Sequence, residues 1–178
     1  MKQHRPEAAD YFEYYGRYVD TVPDGDITAT LEDQWEETEA LLASIPAEKE
    51  EFRYAPGKWS VREVVGHLID TERVFAFRSL WIARGAEGGL PSMDQDEWVV
   101  TSNAGGRILA DLKEEWRAVR RSGIQLFRSL DEEAWMRTGM ASGHEFRVRA
   151  FPWIIAGHEL HHRALLRSDY LGGGVPAP

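Results

Sequence analysis

Four stretches of the chain repeat apolar residues at the spacing of one helix face. Ile27, Leu31, Trp35, Leu41, Leu42 and Ile45 make the first stripe, with Glu32, Asp33, Glu36, Glu37 and Glu39 on its wet side. Pro46 ends it, because the residue before a proline is pushed out of the helical region. The second stripe takes in Val61, Val64, Val65, Leu68, Thr71, Val74, Phe75 and Trp81 and closes near Arg84-Gly85. Its start is set by Ser60-Val61-Arg62-Glu63, a capping box in which the Ser60 hydroxyl accepts from the Glu63 amide and the Glu63 carboxylate reaches back. Residues 107–130 carry the third stripe, on Ile108, Leu112, Trp116, Val119, Ile124 and Phe127, weakened slightly by Gly123. The fourth covers residues 151–170, with Pro152 in its first turn, where a missing N–H costs nothing.

The segments between the stripes predict connections. Residues 7–18 read as a short helix whose Tyr11, Phe12, Tyr14, Tyr15 and Tyr18 pack against the body. Residues 22–26 and 54–59 are turn and loop by composition, and residues 85–91 form a glycine-rich link. Residues 92–103 look irregular, and a connection this long between helices suggests a lid. Loop position alone puts Asp94 and Trp98 at the mouth of a pocket. Residues 138–147, with glycines at 139 and 143, read as a loop or small hairpin, with His144 exposed. Four long amphipathic helices and no convincing strand run predict an all-α, four-helix bundle. The expected division is an N-terminal extension over 1–26, the bundle over 27–171 and a flexible tail over 172–178.

The fourth stripe holds the candidate chemistry. Phe151, Ile155, His158, His162 and Leu165 follow a core-facing rhythm, so two consecutive core positions hold imidazoles. Four residues turn a helix by about 40° and raise it by roughly 6 Å, so both rings leave one face and can converge on one ion. Each buried ring nitrogen needs a partner, and a metal explains the pair better than two independent core histidines do. His67 lies within the apolar face of the second helix and brings a third imidazole into the core.

Composition narrows the partners. Of 178 residues, 43% are hydrophobic and 29% charged, which is ordinary for one soluble domain. The net charge of −9 disfavours nucleic acid and anionic membrane as partners. With no cysteine in the chain, a metal must be held by His, Asp, Glu or water, and any thiol nucleophile must come from outside. No stretch approaches the length of a membrane span, and the N-terminus does not read as a signal peptide, so a cytoplasmic location is expected.

Two segments together carry a resemblance. Pro56-Gly57-Lys58-Trp59-Ser60-Val61-Arg62-Glu63-Val64-Val65-Gly66-His67-Leu68, followed some ninety residues later by Trp153-Ile154-Ile155-Ala156-Gly157-His158-Glu159-Leu160-His161-His162, resembles the DinB-like family grouped with YfiT. The similarity runs from about Ile27 to Tyr170. It implies a four-helix bundle with a three-histidine site for a divalent metal, nickel or zinc, and carries the ligand roles onto His67, His158 and His162. It also implies a homodimer, for which the N-terminal aromatics offer a surface. The activities it implies are transfer of a low-molecular-weight thiol cosubstrate to a small-molecule electrophile, thiol-dependent isomerisation, or hydrolysis. A metal with open positions serves each by binding a thiol or a water and lowering its pKa. Thiol S-transfer is the favoured reading and hydrolysis the second. A non-catalytic, metal-stabilised dimeric module that binds a small molecule during stress is the alternative.

Several side chains have competing readings. His158-Glu159-Leu160-His161-His162 also fits the zinc-protease pattern H-E-x-x-H. The longer form of that pattern fails, since Leu165 and Ser168 stand where glycine and the third histidine belong. Glu159 is nevertheless a candidate catalytic base, weighed against a solvated residue one step off the stripe. His161 is expected at the edge of the site, shaping access or simply exposed. Asp70 could orient the His67 ring or pair with Arg73 or Arg62. Arg149 and Arg163 could bind a carboxylate on a thiol cosubstrate or balance acidic neighbours.

Overall fold

Caps and periodicity place the long helices close to where the sequence puts them. The structure, a computed structural model, describes residues 5–172. Helices α1 (Gly16–Val19), α2 (Ile27–Ala43), α3 (Val61–Ala83), α4 (Gln95–Thr101), α5 (Leu109–Arg128), α6 (Glu132–Met136) and α7 (Ala150–Leu165) follow in chain order, and a π-helical turn, Leu166–Tyr170, extends α7. Asp26 caps α2 by accepting from the Thr28 and Ala29 amides. The expected box caps α3: Ser60 N donates to Glu63 at 2.7 Å, and Glu63 N donates to Ser60 Oγ at 3.3 Å.

The four long helices close a ring in which α2 touches α5 and α7, and α3 touches the same two. The consecutive helices α2 and α3 therefore lie across the ring from each other, which explains the long connection before α3. The apolar stripes meet in two clusters. One gathers Ile27, Leu31, Phe75, Ile124, Phe127 and the first half of α7; the other gathers Trp35, Val61, Val65, Leu68, Leu112, Trp116 and Tyr170. No helix among the described residues is long and apolar enough to cross a membrane.

Two connections differ from the expectation, and a third takes one of its two expected forms. Residues 7–18 are not one helix: two 3-10 turns, Ala8–Asp10 and Glu13–Tyr15, lead into the short α1. They still dock tightly. A β-carbon on Gly157 of α7 would collide with the Tyr18 carbonyl, so α1 lies directly on the α7 backbone, and Val19 and Val22 enter the core. Residues 92–103 are not irregular, because Asp94 accepts from the Asp96 and Glu97 amides and starts α4. Residues 138–147 fold as a hairpin, β1 (Thr138–Ala141) against β2 (His144–Arg147). Its two-residue turn, Ser142-Gly143, has φ of 53° and 78°, the paired positive angles that match strand twist. Within the expected tail only Gly172 is described; residues 173–178 lie outside the described residues.

Candidate metal centre

Helical spacing puts His158 and His162 on one face of α7, and the packing of α3 against α7 brings His67 opposite them. Nε2 of His158 lies 3.1 Å from Nε2 of His67 and 3.1 Å from Nε2 of His162. The potential donor atoms of the three residues all fall within 4.8 Å of one another, and all three side chains are buried. One imidazole nitrogen offers a single hydrogen or a single lone pair, too little for good bonds to two neighbours at once. Nitrogens that share one divalent ion at about 2 Å lie about 3 Å apart, so the spacing fits a shared ion better than a hydrogen-bond chain.

Burial sets the charge state of these rings. It pushes His67 down to about 4 and His162 to about 3, the latter also repelled by His67 and His161. His158 is held well below the ordinary histidine range by burial first and its histidine neighbours second. Three neutral donors at pH 7 are what a borderline cation such as zinc or nickel prefers.

The surroundings orient the rings. Thr71, one turn beyond His67, places its hydroxyl 3.4 Å from His67 Nδ1. Trp59 covers the His67 ring at 4.8 Å between centroids, and Tyr18 meets His158 edge-on at 5.3 Å. Asp70 does not serve His67; it faces Arg73 at 3.7 Å, the surface-pair reading. His161 is exposed and touches the centre only edge-on, against His162 and Tyr18.

Glu159 is not a solvated residue. It is buried, with its carboxylate 2.7 Å from Arg120 Nη1 and accepting from the Thr38 hydroxyl. Arg120 also binds Glu72 through Nε at 2.7 Å and Nη2 at 2.8 Å, and Trp116 donates to Glu72 at 2.7 Å. Next to the histidines, α7 thus carries a buried ion-pair network. No periodicity argument could reveal it, because Thr38 and Glu159 are 121 residues apart.

A cavity of about 340 Å³ reaches the centre, lined by His67 and His158 at one end. Its walls come from the N-terminal segment (Phe12, Tyr15 and Tyr18), from α3 (Thr71, Phe75 and Arg78), from the connection before α4 and from the hairpin. The expected lid segment does contribute, but through Ser92, Met93 and Gln95. Asp94 is occupied as a cap, and Trp98 points outward, 43% exposed. His144 is not an exposed loop residue: it stacks on Phe12 with centroids 3.7 Å apart and lines the cavity. The N-terminal aromatics are largely taken up by this wall, and among them Tyr14 is the exposed one. Arg149 and Arg163 lie off the cavity, paired with Asp10 and Glu7 and with Glu37.

Comparison with known proteins follows the same line. The chain matches the family model described as the DinB superfamily over residues 30–166. Among solved structures it is similar to YfiT from Bacillus subtilis, described as "a probable metal-dependent hydrolase with an unusual four-helix bundle topology". That match has 15% identity, covers 97% of this chain and 95% of that one, and gives a TM-score of 0.74. It is also similar to a mycothiol-dependent maleylpyruvate isomerase, at 13% identity over 89% of this chain and 66% of that one, with a TM-score of 0.68. YjoA, a DinB-like protein from Bacillus subtilis, shares 19% identity over 86% of this chain and 96% of that one, with a TM-score of 0.62. No curated protein matches the sequence.

Proposed function

The chain belongs to the DinB superfamily, and from that premise we propose that it is a metal-dependent enzyme whose His67, His158 and His162 hold one divalent cation, nickel or zinc. The observation that carries the reading is the approach of three neutral Nε2 donors at the end of an open cavity. Among the described residues, no carboxylate joins the three histidines in that group. Three protein donors without a fourth are the arrangement of a catalytic site, while structural sites are closed.

A divalent cation there supplies Lewis acidity, lowering the pKa of a thiol or water that reaches it. The protein's own groups divide the remaining work. Thr71 and Trp59 hold the His67 ring, and Tyr18 walls the His158 side against solvent. Glu159 is tied to Arg120 and Thr38 and is not among the residues that line the cavity. A water nucleophile benefits most from such a carboxylate base, whereas a thiol ionises without one. That contrast favours thiol transfer over hydrolysis. The absence of cysteine requires the thiol to be a separate small molecule. The description of YfiT as a probable hydrolase supports the second reading, hydrolysis, and that of the isomerase as mycothiol-dependent supports thiol use.

The test is turnover by zinc- or nickel-loaded protein of 1-chloro-2,4-dinitrobenzene with and without a low-molecular-weight thiol, beside p-nitrophenyl acetate without thiol. S-transfer predicts thiol-dependent product that disappears on chelation and in His158→Ala. Ester turnover without thiol would establish hydrolysis instead. No turnover of either class, with a range of thiols, would leave a metal-stabilised binding module.

A further inference from the structure

Arg78 is the exception among the deeply buried arginines. Its side chain is 3% exposed, like those of Arg120 and Arg163, yet those two are paired with carboxylates. No carboxylate comes within ion-pair distance of Arg78 among the described residues. The polar side chain that influences it most is a phenol, that of Tyr15, which lines the same cavity. Nη2 donates to the Pro91 carbonyl at 2.8 Å and to Ser142 Oγ at 2.8 Å. A guanidinium has five N–H donors, so these bonds use both hydrogens of Nη2 and leave those of Nε and Nη1 for a ligand. Burying a charge without a counter-charge is costly, and here the unbalanced cation lines the cavity that reaches the histidines.

We propose that Arg78 is the recognition group for a carboxylate, and that the cavity takes a small organic acid with a flat, conjugated body. The walls suit such a body: the Phe12–His144 stack, Tyr15 and Phe75 present aromatic surface around the guanidinium. Arg78 lies above the Phe75 ring, its Cζ 5.6 Å from the centroid, so its plane is braced from one side. The bonds to Pro91 and Ser142 tie it to the connection before α4 and to the hairpin turn, which fixes the guanidinium for a single charge-assisted hydrogen bond from one of its remaining N–H groups to a carboxylate. The acid is carried either by the electrophile or by the thiol. As a substrate subsite this rests on the metal-enzyme reading; as a carboxylate pocket it does not.

Calorimetric titration separates the two, using protein as purified and protein stripped of metal. The probes are trans-cinnamate against cinnamamide, and N-acetylcysteine against N-acetylcysteine amide. In wild type one acid should bind about tenfold or more tighter than its amide, with or without metal, and the pair that shows this identifies the carrier. Arg78→Gln should reduce the preference to about twofold or less while leaving the amide's affinity in place, and Arg78→Lys should fall between. Should Arg78→Gln fail to fold, the Arg78 Nε–Hε resonance of wild-type protein must shift with the acid and not with the amide. Equal affinity of acids and amides in metal-free wild type would overturn the proposal. So would a preference that survives Arg78→Gln, or one present only with metal. A preference in a protein that never binds metal would leave this pocket standing and remove the metal-enzyme reading.

Discussion

Two buried polar clusters lie side by side on α3 and α7, and they are built in opposite ways. In one, Glu72, Arg120, Glu159, Thr38 and Trp116 are matched donor to acceptor and charge to opposite charge. In the other, three Nε2 atoms face each other with too few complementary partners. Both clusters are buried, both join helices, and His158 and Glu159 are sequence neighbours on the same small crevice. The difference teaches how to separate structure from function inside a helical core. A polar group matched by opposite charges inside the protein holds the fold, and one whose lone pairs converge on a common point with other lone pairs is arranged for a ligand. The ion-paired cluster also serves the histidine cluster. Two carboxylates against one guanidinium leave one formal negative charge beside the histidines, which favours a cation there.

The comparison predicts unequal consequences. Arg120→Leu should have the largest effect on stability, about 3–5 kcal/mol, because it strands two buried carboxylates without a partner. Urea denaturation measures it, and a loss below about 1 kcal/mol would mean that the network is not the structural member of the pair. His158→Leu, by contrast, should leave the bundle folded, since hydrophobic packing carries the helices.

A smaller effect separates the clusters by pH. The metal-free fold holds His67 and His162 neutral down to about 4 and about 3, whereas an unfolded histidine gains its proton near 6.5. Below pH 6.5 the unfolded chain therefore binds more protons than the native one, so stability falls as pH drops from 6.5 toward 4. Arg120 is held in its charged form by its two carboxylates and contributes nothing in that window. Asp26, Glu63 and Glu115 are held low, so their stabilisation is lost only below the ordinary carboxylate range. Metal-free wild type should thus have a lower urea midpoint at pH 5 than at pH 7, and His158→Leu a smaller drop. Identical pH slopes for the two would assign the loss elsewhere.

Much of this was legible in the sequence, and the missing parts share a cause. The long helices were readable because each carries its own periodicity and, at Ser60, its own cap. His67, His158 and His162 were readable because imidazoles stood where a core stripe called for aliphatics. Glu159 misled because a stripe counts only its own face, while Thr38 of the adjoining α2 and Arg120, reaching across from α5, meet α7 on another side. Helix α4 was hidden in a polar segment only two turns long, where the Asp94 cap is the main signal. Arg78 lies within the α3 stretch as an ordinary charge, and only the absence of a partner, a tertiary fact, sets it apart. His144 gave no local sign either, because the ring it stacks on is supplied by Phe12 at the other end of the chain.

Whether the histidine cluster is a metal centre is decided by its metal content. Elemental analysis would compare untagged wild type with His158→Ala, as purified and after incubation with nickel or zinc followed by desalting. The account predicts about one equivalent of divalent metal in wild type and essentially none in the variant, with both proteins helical by circular dichroism. Wild type that takes up no metal, or a folded variant that keeps a full equivalent, would contradict it.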